Sequence, residues 1–208
     1  MPHYDVSDSV ATVVGADAEA TWRALDEADL LEVGRRHPLV AALGFARLLP
    51  EVAMRLLRGD GLPTEPRSMR LRDTADTPAA EGGWTLLGEE PGTELALGLV
   101  GKFWRPIIRY AHVEDAEDFR ALSAPGWAKT VYSLRVTPID EGRTLLTGTM
   151  RTATTDARSR RWFRRYWTLG VGSGAHVLVN GLLDDVRRQA EQAAATRSPD
   201  SVAVASRL

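Results

Sequence analysis

The sequence predicts an α+β fold in which an antiparallel sheet packs around one long final helix. Three observations lead there. Strand-like stretches follow one another in the middle of the chain and are joined by short turns, which favours antiparallel pairing over a doubly wound parallel sheet. The segment from Ala157 to about Ala195 carries Phe163, Trp167, Gly170, Gly174, Val177 and Gly181 at steps of four and three, one stripe of a helix. That stripe is bulky at its start and nearly bare in its middle, so it either meets the sheet very closely or leaves space beneath it.

Composition narrows the possibilities. With 208 residues the chain is long enough for one domain with its own core and short for two. We assign residues 1–195 to that domain and expect 196–208, polar and rich in alanine and serine, to be a disordered tail. A formal net charge of -2 and a pI of about 6.1 supply no field for nucleic acid or an anionic membrane. The absence of cysteine removes disulfides, thiolate metal sites and cysteine nucleophiles, and fits a cytoplasmic protein. The first residues have neither a basic segment nor an apolar one, so no secretion signal is expected.

Along the chain, Val6, Val10, Thr12 and Val14 are spaced as one face of a first strand. Asp17 is placed to cap a helix whose inner face carries Ala18, Trp22, Leu25 and Ala28. Pro38 to Arg58 reads as a second, apolar helical region. Arg47, Pro50, Glu51 and Arg55 exclude a membrane span, and no stable membrane insertion is expected. Asp60 to Gly83 reads as a loop around a short strand, Ser68 to Arg72. Trp84 to Glu90 and Thr93 to Gly101 flank a Glu-Pro-Gly turn, and Leu95, Leu97 and Leu99 share a face opposite Ala96, Gly98 and Val100. Ile107 to Val113 reads as another strand, and Glu114 to Leu122 as a short helix or loop. Trp127 to Thr137 and Thr144 to Thr154 form the clearest hairpin, turning at Asp140-Glu-Gly142, with Ala128, Thr130, Tyr132, Leu134 and Val136 on one face.

Four stretches resemble the START-like (SRPBCC) superfamily: Ala16 to Trp22, Leu97 to Trp104, Pro125 to Lys129, and Arg143 to Thr155 running into the final helix. The likeness covers the chain from Val6 to about Glu191. It implies a helix-grip fold, a curved antiparallel sheet wrapped around the C-terminal helix, with an apolar cavity between them. Lipid carriers, polyketide cyclases, hormone receptors and cochaperones share that fold, so the resemblance implies a cavity more firmly than a reaction. The glycines at 170, 172 and 174 and the long Asp60 to Gly83 insertion depart from the simplest members.

The expected function is binding of a small apolar or lipid-like ligand, with Leu97, Leu99, Tyr132, Leu134, Trp167, Gly170, Gly174 and Val177 lining its site. A cyclase- or dehydratase-like enzyme is the alternative: His176 would be the base, with Tyr132 and Asn180 orienting a substrate oxygen. A third reading is an interaction module presenting the apolar Leu39 to Leu57 region to a partner. No histidine pair has metal spacing on one element, and no metal or cofactor is expected. The arginines between 158 and 165 interleave with Trp162, Phe163, Tyr166 and Trp167, but the rings have helical spacing and read as core, so nucleic acid is not expected. Cations in a first helical turn oppose the helix dipole, which leaves room there for an anion such as a phosphate or lipid head group. Oligomeric state is not legible.

Overall fold

Five antiparallel strands in the order β1-β5-β4-β3-β2 form the sheet of the computed structural model. The structure describes residues 3–36 and 83–197, with 38, 42, 49, 52, 53, 56, 57, 59, 70, 71 and 73 between them. The strands are β1 (Val6–Val14), β2 (Thr85–Glu90), β3 (Glu94–Gly101), β4 (Ala128–Asp140) and β5 (Arg143–Thr154). The helices are α1 (Ala18–Asp26), α2 (Leu30–Arg36), α3 (Ala116–Ala121), α4 (Ala157–Tyr166) and α5 (Gly172–Arg197), with a π-helical turn, Trp167–Val171, joining the last two. No described helix is long and apolar enough to cross a membrane.

Local chemistry explains most boundaries. Pro91 and Gly92 occupy the centre of the β2–β3 turn; Gly92 has φ +82°, and the Thr93 N–H donates to the Glu90 carbonyl at 2.9 Å. Asp140 accepts the Gly142 N–H in the β4–β5 turn. Asp17 caps α1 by accepting the Ala20 N–H, and Asp115 caps α3 through Glu117 and Asp118.

The sheet buries one face against α1 and α5. Val14, Leu134, Val136 and Leu146 meet Leu25, Leu182, Leu183 and Val186 there. The helix comes close at Gly148, where a Cβ would lie 3.0 Å from Val179 Cγ1 and 3.2 Å from Leu183 Cδ1. On the other face, the bareness of β3 is matched by α3. Phe119 and Leu87 lie over Gly98 so closely that a Cβ there would come within 2.8 Å of both. Gly98→Val is therefore expected to cost about 1–3 kcal/mol by overpacking, measurable as a lowered urea midpoint with unchanged slope; a neutral result would show that Phe119 is loosely seated.

Ile107 to Val113 is not a full strand. Both edges of β3 are already paired, with β2 and β4, so this stretch makes only a bridge at the strand's end. There the Lys102 N–H donates to the Arg109 carbonyl and the Ala111 N–H to that of Val100. In the 60–83 insertion, Arg70 bridges Asp29 and Leu71 is buried in the core, while the rest of the expected Ser68 to Arg72 strand lies outside the described residues. The same holds for most of Pro38 to Arg58. At the end of the chain, Thr196 and Arg197 still belong to α5, and 198–208 lie outside the described residues.

Candidate functional site

Between the sheet and the final helix lie two apolar lobes of about 140 and 160 Å³. They share Trp84, Met150 and Ala175 as walls. The deeper lobe adds Leu30, Leu97, Tyr132 and Leu178; the other adds Leu99, Phe103, Phe163, Tyr166 and Trp167. Strand alternation brings these side chains together: Leu97 pairs with Tyr132 and Tyr132 with Met150 across three adjacent strands, so all three point to the helix side. Thr130 and Thr152 bring hydroxyls to the second lobe, and these bond each other at 2.9 Å.

An aromatic group lines one side of the second lobe. Phe163 is buried, with ring centroids 6.4 Å from Phe103, 6.0 Å from Tyr166 and 5.9 Å from Trp167. Such pairs add about 0.5–1.5 kcal/mol each beyond area burial. Trp167 folds back onto the next turn, where a Cβ on Gly172 would come within 2.7 Å of its indole. The helix breaks at this point: Leu169 has ψ 17° and Gly170 φ +104°, a conformation suited to glycine.

That break moves the lining residues. The non-helical backbone at Leu169 and Gly170 interrupts the helical phase, so the stripe does not carry on unchanged beyond Trp167. The wall continues through Val171, Ala175, Leu178 and Leu182 in place of the expected Gly170, Gly174, Val177 and Gly181. Gly170 faces open space, Gly174 is half-buried, and Val177 lies with His176 in an open cleft beside β1. Of the other expected lining residues, Leu97, Leu99, Tyr132 and Trp167 border the lobes, and Leu134 sits in the sealed core. Trp84, Met150 and Phe103 had no local signal that marked them as walls. Ala175 was hidden by the change of phase.

The three candidate catalytic residues are not gathered at one point. His176 Nδ1 lies 3.0 Å from both Asp8 carboxylate oxygens, on the open side. Asn180 donates its amide N–H to the His176 carbonyl at 3.0 Å, a contact within its own helix. The Tyr132 ring borders the deep lobe, while its hydroxyl is buried and has no hydrogen-bond partner among the described residues; a Cβ on Gly148 would lie 3.1 Å from it. Burial pushes that hydroxyl well above its ordinary pKa range, and the Asp8 carboxylate adds to the effect, so it stays protonated at neutral pH.

The start of α4 carries different chemistry. Lys102, Trp104, Arg105, Arg158 and Trp162 surround an open cleft of about 450 Å³ beside the second lobe. Asp156 caps the helix, accepting the N–H groups of Arg158, Ser159 and Gly126 and the Ser159 hydroxyl. The Ser159 hydroxyl and these N–H groups hold its carboxyl well below the usual range. This carboxylate answers the dipole at the first turn.

No protein-family model and no curated protein matches the chain. Its structure is similar to a conserved protein from Geobacillus kaustophilus at 12% identity and TM-score 0.39, over 90% of this chain and 96% of that one. It is also similar to an aromatase/cyclase from a Streptomyces species, at 14% identity and TM-score 0.31 over 88% and 94% of the two chains. A norcoclaurine synthase from Thalictrum flavum, solved with dopamine and hydroxybenzaldehyde, is similar at 12% identity and TM-score 0.31 over 88% and 86%. The strand order and the helical segment that spans the sheet from residue 157 to 197 are those of the helix-grip fold, as the resemblance to the START-like superfamily implies.

Proposed function

We propose that the protein binds a small, largely apolar molecule in the two adjoining lobes. The observation that carries this reading is their placement between sheet and helix, with apolar walls and a shared middle at Trp84, Met150 and Ala175. An apolar cavity of about 150 Å³ accepts a guest of benzene size, so two adjoining lobes suit a two-ring or similarly elongated molecule. Binding is favoured over acid–base turnover because His176 faces the open cleft beside Asp8 and Asn180 bonds within its own helix, so neither is gathered with Tyr132 at the lobes. Uptake of the neutral fluorophore N-phenyl-1-naphthylamine should be saturable at one per chain. Ala175→Phe puts a ring into the shared middle and should weaken that uptake at least tenfold while near-UV circular dichroism stays native. A folded Ala175→Phe protein with unchanged uptake would sink the proposal.

A further inference from the structure

The basic cleft at the start of α4 borders the second lobe through a wall one side chain thick. Phe103 lines the lobe, while its chain neighbours Lys102 and Trp104 line the cleft. Phe163 lines the lobe in the same way, with Trp162 and Ser159 on the cleft side. Lys102, Arg105 and Arg158 converge on the cleft, and among the described residues lining it there is no carboxylate. Asp156 lies nearby, but its oxygens are engaged by the helix cap. Lys102 Nζ is held 4.4 Å over the Trp127 ring, which fixes one cation at the cleft. Trp104 and Trp162 give it apolar sides.

The geometry points to this cleft as the seat of an anionic head group, a phosphate or carboxylate, carried by the ligand whose apolar part fills the lobe behind Phe103 and Phe163. This rests on the cavity reading above. The ligand is then an amphiphile. Its apolar part passes the edge-to-face pair of Phe103 and Phe163, and its charge stays at the surface, where Lys102 and Arg158 neutralise it without the cost of burying an ion.

Calorimetric titration of the full chain with n-octyl phosphate, 1-octanol and inorganic phosphate separates the possibilities. Octyl phosphate should bind at least tenfold more tightly than octanol, and inorganic phosphate at least tenfold more weakly than octyl phosphate. In the double variant K102Q/R158Q the advantage of octyl phosphate over octanol should fall below about threefold. Uptake of N-phenyl-1-naphthylamine should stay unchanged. Arg158 is exposed and Lys102 half-buried against Trp127, so native near-UV circular dichroism is the check that the variant is folded. Equal binding of octyl phosphate and octanol, with fluorophore uptake intact, overturns the head-group site and leaves the cavity standing. Failure of fluorophore uptake tells against the cavity itself. Inorganic phosphate binding as tightly as octyl phosphate would make this a free-phosphate site and overturn the amphiphile. Retention of the full advantage in K102Q/R158Q would place the head group elsewhere and also overturn it.

Discussion

Asp185→Ala is expected to lower unfolding free energy at pH 7 by about 2–4 kcal/mol. The Asp185 side chain has no exposed surface, yet it carries a charge. Arg188 and Arg36 reach it at 2.8 and 2.7 Å, and the Gln189 amide donates at 3.2 Å. Arg36 belongs to α2 and the other two donors to α5, so the carboxylate ties the two helices together. Burial alone would raise its pKa, but hydrogen bonds from Arg188 and Arg36 outweigh that and leave it lowered. The sign of the pH dependence follows. A carboxyl with a depressed folded-state pKa contributes stability that is fully present above its unfolded value near 4 and is lost as pH falls through the folded one. The gap between parent and Asp185→Ala should therefore be widest at neutral pH and narrow below about pH 4. Asp185→Asn should fall between them, since it keeps the shape and loses the charge. Urea unfolding at several pH values reads all three proteins. A constant gap from pH 7 to pH 3 would show that lost packing, rather than lost charge, sets the cost.

The parts of this fold that depend on neighbours in sequence were legible. Pro91-Gly92 and Asp140 to Gly142 announce their turns, and Asp17 announces its cap, because each acts within four residues. What depends on crowding was not. Nothing in Ile107 to Val113 says that both edges of β3 are occupied, so alternation there read as a strand. Leu97, Leu99, Tyr132 and Trp167 border the lobes as expected, and the helix residues beyond Trp167 differ for another reason. A helical stripe assumes constant phase, and the non-helical backbone at Leu169 and Gly170 breaks that phase within Trp167–Val171. Gly170 was the local trace of that turn; it read as part of a bare stripe and in fact marks the break. Asp8 and His176 lie 168 residues apart, so no spacing rule could pair them. The lobes are likewise a tertiary product: Trp84, Met150 and Ala175 come from the approach to β2, from β5 and from α5 in turn, and none is unusual in its own segment.

Phe163→Ala should have the largest effect of all, about 3–5 kcal/mol of stability. Phe163 is 2% exposed and is the only ring that touches Phe103, Tyr166 and Trp167 together among the described residues. Removing it leaves a void where α4 meets the sheet, and the kink at Gly170 lets α4 move without dragging α5. Loss of the ring also widens the way from the second lobe to the basic cleft. The consequence for binding is a change in rate: N-phenyl-1-naphthylamine should still enter, but should leave at least tenfold faster because the wall that retained it is gone. Phe163→Leu fills most of the void and should recover more than half of the stability, with a slower exit than Phe163→Ala. Thermal melts and stopped-flow release of the fluorophore measure the two effects separately. A cost below about 1 kcal/mol would mean that α4 is held by other contacts, and an unchanged exit rate in a folded Phe163→Ala protein would mean that the ligand leaves by another route, through the end of the deep lobe at Leu30 and Leu71.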